Sequence, residues 1–204
     1  MYYYWLILVV FLIIIYYLKD RAYYESTPLE PLETSRLYLR LWTMEDAENL
    51  YEYAQNPIVG PRAGWPPHGS LEESRRIITK FIDEKNVYAI EHKACGKVIG
   101  SIGLHERYPE QSLKHLKQRE VGYVLNPEYW GQGYMPEALE AVKNYSMDQL
   151  NLDILWCGHF EDNSNSKRVI EKNGFVYKFT KETNLPLMND QKEQTLFYAI
   201  EKKH

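Results

Sequence analysis

The chain predicts an α/β fold: a central mixed, mostly antiparallel sheet flanked by helices and preceded by a single N-terminal transmembrane helix. Three observations lead there. A β-branched and aromatic segment, residues 119–125, runs through the loop Trp130, Gly131, Gln132, Gly133, Tyr134 onto an amphipathic helix. A second strand at 154–159 is followed by Asn163, Ser166, a short helix over 167–172, and then Gly174 and Phe175, where another strand opens. Residues 1–18 carry no charged side chain before Lys19. Helices interleaved with strands in this way indicate α/β layering.

In chain order, residues 1–18 read as a membrane anchor. At ~1.5 Å per residue a helix of that length covers about 27 Å, close to a hydrocarbon core. Aromatic residues bracket both ends as interfacial belts do. A signal peptide fits less well, because there is no basic stretch before the apolar run and no small-residue cleavage site after it. Lys19 and Arg21 flank the C-terminal side, which orients the span with its N-terminus outside and the following domain in the cytoplasm. Residues 19–33, with Pro28 and Pro31, read as a tether. Residues 34–204 then suffice for one domain with one core.

Within that domain, Leu37, Leu39 and Leu41 alternate along a first strand at 36–41. Thr43 caps a helix running to Ala54, with Ala47, Leu50 and Tyr51 inward. Asn56 and Pro57 end it, and a proline-stiffened loop spans 60–69. Ser70 and Glu73 form a capping box for a helix packed through Ile77, Ile78, Phe81 and Ile82. Residues 87–91 and 98–104 read as a hairpin turning at Ala94, Cys95 and Gly96. After the glycine loop, Met135, Ala138, Leu139, Val142 and Tyr145 recur at helical spacing. Strands at 175–180 and 195–200 complete the sheet. The net charge of −4 and pI near 5.9 argue against general nucleic-acid binding. Cys95 and Cys157 lack metal-ligand spacing, so no metal is expected. Oligomeric state is not legible.

The glycine loop invites a ligand. The first N–H groups of a helix have no internal partner and the macrodipole adds partial positive charge, so a helix N-terminus favours an anion. Gly131 and Gly133 permit close backbone approach, and Pro136 suits the first helical position. Taken together, the strand, glycine loop, helix, strand, Asn163-x-x-Ser166 and Gly174-Phe175 resemble the GCN5-related N-acetyltransferase (GNAT) superfamily, most closely its ribosomal-protein N-terminal acetyltransferase-like branch. The general pyrophosphate pattern of that family, Arg/Gln-x-x-Gly-x-Gly/Ala, is met at Gly133, while Trp130 and Met135 depart from it in a form typical of the branch. The resemblance implies acetyl-CoA as co-substrate, held by Val124, Leu125, Trp130, Gly131, Gln132, Gly133, Tyr134, Met135, Asn163 and Ser166, and direct transfer of its acetyl group to an amine.

For that chemistry the amine must be neutral to attack, and the departing thiolate gains from a nearby donor. Many relatives place an acid tyrosine on the helix after the Asn motif, where this chain has Ile170. Ser166 is the candidate to meet the thiolate, or a polar residue of a first helical turn. Glu120 is the candidate base, with His159 and His105 behind it, or a strand carboxylate paired with Arg119 or a lysine. The Asn163 amide can donate to and accept from the pantetheine chain, or form a turn. Arg62 and Trp65 lie in the loop expected to contact the acceptor, a peptide N-terminus or a small amine, although Trp65 can equally pack beneath the prolines. The expected function is a membrane-tethered N-acetyltransferase. The alternative is an acetyl-CoA-binding sensor or scaffold without turnover.

Overall fold

A computed structural model describes residues 28–202. Among these, no helix is long and apolar enough to cross a membrane. The longest, Leu71–Glu84, has 14 residues and carries charge on one side, so it is a surface helix of about 21 Å. The anchor expected over residues 1–18 lies outside the described residues. The expected fold is therefore corrected to the α/β domain alone, and the expected single-pass membrane location with a cytoplasmic domain is withdrawn with it. The stretch read as a tether belongs to the domain from Leu29 onward. Leu29 is buried and its N–H donates to the Lys85 carbonyl at 3.2 Å.

Eight strands form one sheet: β1 Leu32–Glu33, β2 Leu37–Arg40, β3 Val87–His92, β4 Lys97–His105, β5 Gln118–Leu125, β6 Ile154–Phe160, β7 Val176–Leu185 and β8 Gln191–Glu201, in the spatial order β1-β2-β3-β4-β5-β6-β8-β7. Every neighbouring pair is antiparallel except β5 and β6. The helices are α1 Ala47–Ala54, α2 Leu71–Glu84, α3 Tyr134–Asn144 and α4 Ser164–Lys172. Side chains alternate across a strand, and each face has its own core. Leu37, Ile90, Ile102, Val121 and Leu155 pack with Ala138, Leu139, Val142 and Ile170 of α3 and α4. Val87, Ala89 and Val98 pack on the other face with Leu50, Tyr53 and Ile78 of α1 and α2.

Local chemistry sets the element ends. The Ser70 hydroxyl accepts from Glu73 N at 3.2 Å, and the Glu73 carboxylate accepts from Gly69 N at 2.7 Å. The box is thus closed one residue upstream of the expected partner. Asp46 accepts from Thr43 N at 2.9 Å and takes both terminal nitrogens of Arg40 at 2.8 Å, tying β2 to the start of α1. The β7–β8 hairpin is longer than the expected 175–180 and 195–200. Its outer half is polar, so the alternation that marks a half-buried strand fades there.

One clamp governs the glycine loop. Glu137, in the first turn of α3, accepts from Thr34 Oγ1 at 2.6 Å, Ser35 Oγ at 3.0 Å, Arg36 N at 2.9 Å and Arg36 Nε at 2.6 Å. Partial burial would raise its pKa, but these donors outweigh it and bring the carboxyl down to about 2. The folded value lies below the ordinary 4.5. This stabilisation is therefore complete above the ordinary value and lost as pH falls toward 2. Glu137→Gln is expected to cost about 2 kcal/mol in urea denaturation at pH 7, with the gap from the parent closing in acid. An equal gap at pH 7 and pH 3 would refute the clamp.

Candidate active site

The parallel β5–β6 ladder runs only from Gln118↔Ile154 to Val121↔Cys157. Beyond it β5 continues to Leu125 and β6 to Phe160, so the two strands part and the backbone edge of residues 122–125 faces the gap without a neighbouring strand. A cavity of about 930 Å³ occupies this split and reaches both faces of the sheet.

On the α3–α4 face the cavity is walled by the glycine loop. Gly131 and Gly133 sit at φ 75° and 82°, in the left-handed region that favours glycine, and Gly133 is the N-cap of α3. The N–H groups of residues 131–135 donate to no acceptor among the described residues. Arg36 steadies the loop from outside, donating to the Gln132 carbonyl at 2.9 Å and lying 4.2 Å over the Tyr134 ring. Trp130 donates its indole N–H to the Leu125 carbonyl at 2.8 Å, which fixes the loop to the end of β5. Val124, Leu125, Trp130, Gly131, Gly133, Tyr134 and Met135 all line the cavity. Gln132 does not. Its side chain turns outward to the Glu128 carbonyl.

Asn163 and Ser166 line the same side. The Asn163 side-chain Oδ1 accepts from Ser166 N at 3.1 Å and caps α4, which leaves its amide N–H₂ open to a ligand. The turn-forming role and the binding role are compatible because they use different atoms. The Ser166 hydroxyl lies 2.8 Å from the Tyr123 hydroxyl. Tyr123 also lines the cavity. Burial holds its pKa well above the ordinary value, with the Cys157 thiol adding to the effect. The sequence reading missed this residue. Its signal was strand parity, because Tyr123 shares a face with Val121 and Leu125.

On the opposite face, Glu120 points into the cavity. Burial raises its pKa, and Arg107, with Nη1 at 3.9 Å, only partly offsets that. The ion-pair neighbour of Glu120 is thus Arg107, in place of the expected Arg119 or lysine, while Arg119 bonds Glu106 at 3.0 Å. His105 is the cross-strand neighbour of Glu120. Burial, reinforced by Arg107, lowers its pKa to about 4, so it is neutral near pH 7. It is not among the lining residues. His159 does line the cavity, but its ring lies within reach of the Phe160 carbonyl at 2.8 Å and the Tyr198 hydroxyl at 3.4 Å. It is a satisfied histidine.

Arg62 lines the cavity from the turn Pro61–Ala63, and Leu185, Pro186 and Leu187 face it from the β7–β8 corner. Trp65 does not reach the cavity. Its ring covers Gly60, where a Cβ would come within 2.4 Å of it, and stacks 5.2 Å from His68. It braces the loop that presents Arg62.

The acetyltransferase (GNAT) domain family matches residues 36–176, and the chain belongs to that family. The uncharacterised N-acetyltransferase YoaA of Bacillus subtilis is 32% identical over 149 residues, covering 71% of this chain and 81% of the relative. Among solved structures, a GNAT-family acetyltransferase from Bacillus anthracis superposes with a TM-score of 0.74 at 23% identity, over 84% of this chain and 98% of the other. A putative ribosomal-protein-serine acetyltransferase from Vibrio cholerae gives 0.71 at 20% identity, over 86% and 99%. RimL, a ribosomal α-N-protein acetyltransferase solved in complex with coenzyme A, gives 0.68 at 20% identity, over 84% and 98%. These likenesses concern the fold. Family and relatives together make the chain an acetyl-transferring enzyme.

Proposed function

We propose that the enzyme transfers the acetyl group of acetyl-CoA to a primary amine by direct attack within a ternary complex. The observation that supports this most is the β5–β6 split, which joins an anion cradle on one face to a buried carboxylate on the other. The cradle fits a pyrophosphate: its N–H groups are uncommitted, and Glu137, the acid nearest the helix start, is turned outward to Arg36. The strand edge at residues 122–125 and the Asn163 amide N–H₂ suit a pantetheine chain. When bound, acetyl-CoA supplies a thioester whose carbonyl accepts the amine and whose sulfur leaves.

The protein's residues do the rest. Glu120 takes the proton of the amine, and burial moves its basicity toward the working range. The Ser166 hydroxyl donates to the leaving sulfur, with Tyr123 O–H behind it. Tyr123 of β5 thus offers a phenol beside Ser166, whereas Ile170 holds the helical position at which many relatives carry a tyrosine. This weakens the case for a scaffold without turnover.

Thiol release from acetyl-CoA across a panel of amines tests the proposal, and no release with any amine would leave the scaffold reading standing. Asn163→Ala is expected to weaken acetyl-CoA binding and lower stability by about 1 kcal/mol through the lost cap. Ser166→Ala and Tyr123→Phe are expected to lower kcat, Ser166→Ala by roughly 10²-fold, with little change in acetyl-CoA affinity. Equal losses of affinity in all three variants would overturn the division of roles.

A further inference from the structure

The charges that line the cavity are unevenly placed. Arg168 and Lys172 lie one helical turn apart on α4, on the cradle side, where a polyanionic cofactor suits them. The opposite chamber has Arg62, Arg107 and Glu120. Glu120 is its only carboxylate among the described residues. Arg62 is exposed and has no hydrogen-bond or ion-pair partner among the described residues. Arg107 is largely exposed, and its one ionic neighbour is Glu120 at 3.9 Å.

Of the acids nearby, Glu106 pairs with Arg119, Glu182 with Lys192, and Asp190 bonds Asn184, while Glu161 and Asp162 are exposed to solvent. None of these five lines the cavity. The neutral lining is largely apolar, with Ile58, Phe160, Leu185, Leu187 and Phe197, and includes Thr183, Asn184 and Thr195. A second ammonium on the acceptor would therefore meet two guanidinium groups and, among the described lining residues, no carboxylate besides the base. An anionic group would meet one or two guanidinium groups in a cleft whose low-dielectric walls strengthen the attraction. Guanidinium also suits carboxylate and phosphate in a bidentate geometry.

We infer that the acceptor is an amine bearing a carboxylate or other anionic group, recognised by Arg62 and Arg107, and that polycationic amines are excluded. This rests on the proposed transfer to an amine. It narrows that class to an acidic peptide N-terminus or a small amino acid-like molecule.

Thiol release from acetyl-CoA would be followed with peptides that share one N-terminal residue and carry Glu, Gln or Lys next to it. Free amino acids, their amides and spermidine complete the panel. The expected order of kcat/KM is Glu above Gln above Lys, with about tenfold per charge step and a spread that shrinks as salt rises. Free amino acids above their amides, with weak peptides, would assign the small-molecule source; the reverse would assign the peptide source. Arg62→Glu is expected to compress or invert the order, and Arg62→Gln to flatten it. Acetyl-CoA affinity serves as the control for folding in both variants. Spermidine turning over as well as the Glu peptide, or an order unchanged by Arg62→Glu, would overturn the inference. No release with any acceptor would instead count against amine acetylation itself.

Discussion

Glu120→Gln is expected to lower kcat by about 10²- to 10⁴-fold, the range of a positioned general base, while acetyl-CoA affinity stays near that of the parent. The side chains are isosteric, so the cavity keeps its shape and loses only the proton acceptor. The parent's pH profile carries the same signature. Burial raises the Glu120 pKa above the ordinary carboxylate value. The acid limb of kcat should therefore lie above that value, with activity falling as pH drops and the base is protonated. Arg107 pulls the pKa down. Arg107→Ala should move the limb to higher pH. A limb that stays in place in Arg107→Ala and persists in Glu120→Gln would assign the base to another group.

The second large effect concerns the cradle. Gly131→Val and Gly133→Val are each expected to weaken acetyl-CoA binding tenfold or more, about 1.4 kcal/mol or above. Both positions are left-handed, so a side chain there strains the backbone by about 1–2 kcal/mol. They differ in surroundings. A Cβ at Gly133 would come within 3.4 Å of Arg36 Nη2 and loosen the outer clamp, whereas one at Gly131 meets no protein atom within 4 Å. Loss of affinity in Gly131→Val therefore reports crowding of the ligand more directly. Gly96→Ala is the control, since Gly96 has φ 66° and open space around it in the β3–β4 turn. It should share the strain and keep full affinity. Calorimetry showing intact binding in folded Gly131→Val would remove the cradle from the cofactor site.

The cradle was readable in the sequence because its determinants are local. Gly131 and Gly133 dictate backbone geometry within a few residues, and Asn163 caps the helix it precedes; Pro136, expected at the first helical position, is the third residue of α3 because Gly133 is the cap. The α3 stripe of Met135, Ala138, Leu139 and Val142 was legible by period alone. What escaped depends on contacts distant in sequence. The Glu137 clamp joins residues about a hundred positions apart. Tyr123 meets Ser166 across 43 residues. Arg107 approaches Glu120 only because β4 and β5 form a hairpin. For Trp65 the sequence leaves a ligand-facing and a packed ring open, and the structure takes the packed one because Gly60 leaves room for the ring against the backbone, which residue type does not reveal. The apolar run at residues 1–18 suggested a span, but the described residues hold only amphipathic helices with a charged side.

The strand order carries a consequence for biosynthesis. Of the described strands β8 is the last in sequence, yet it lies inside the sheet, between β6 and β7. Until residue 201 has left the ribosome, β6 lacks a neighbour on its far side and β7 has nothing to pair with, a state prone to edge-to-edge association. Thr195 and Phe197, which line the cavity, arrive with that same strand. A nascent chain stalled before β8 would hold the glycine loop and the Asn163 cap but no closed chamber. Removing the strand at residues 191–201 should therefore give an aggregating product, and insertion of β8 is the step at which the cavity closes.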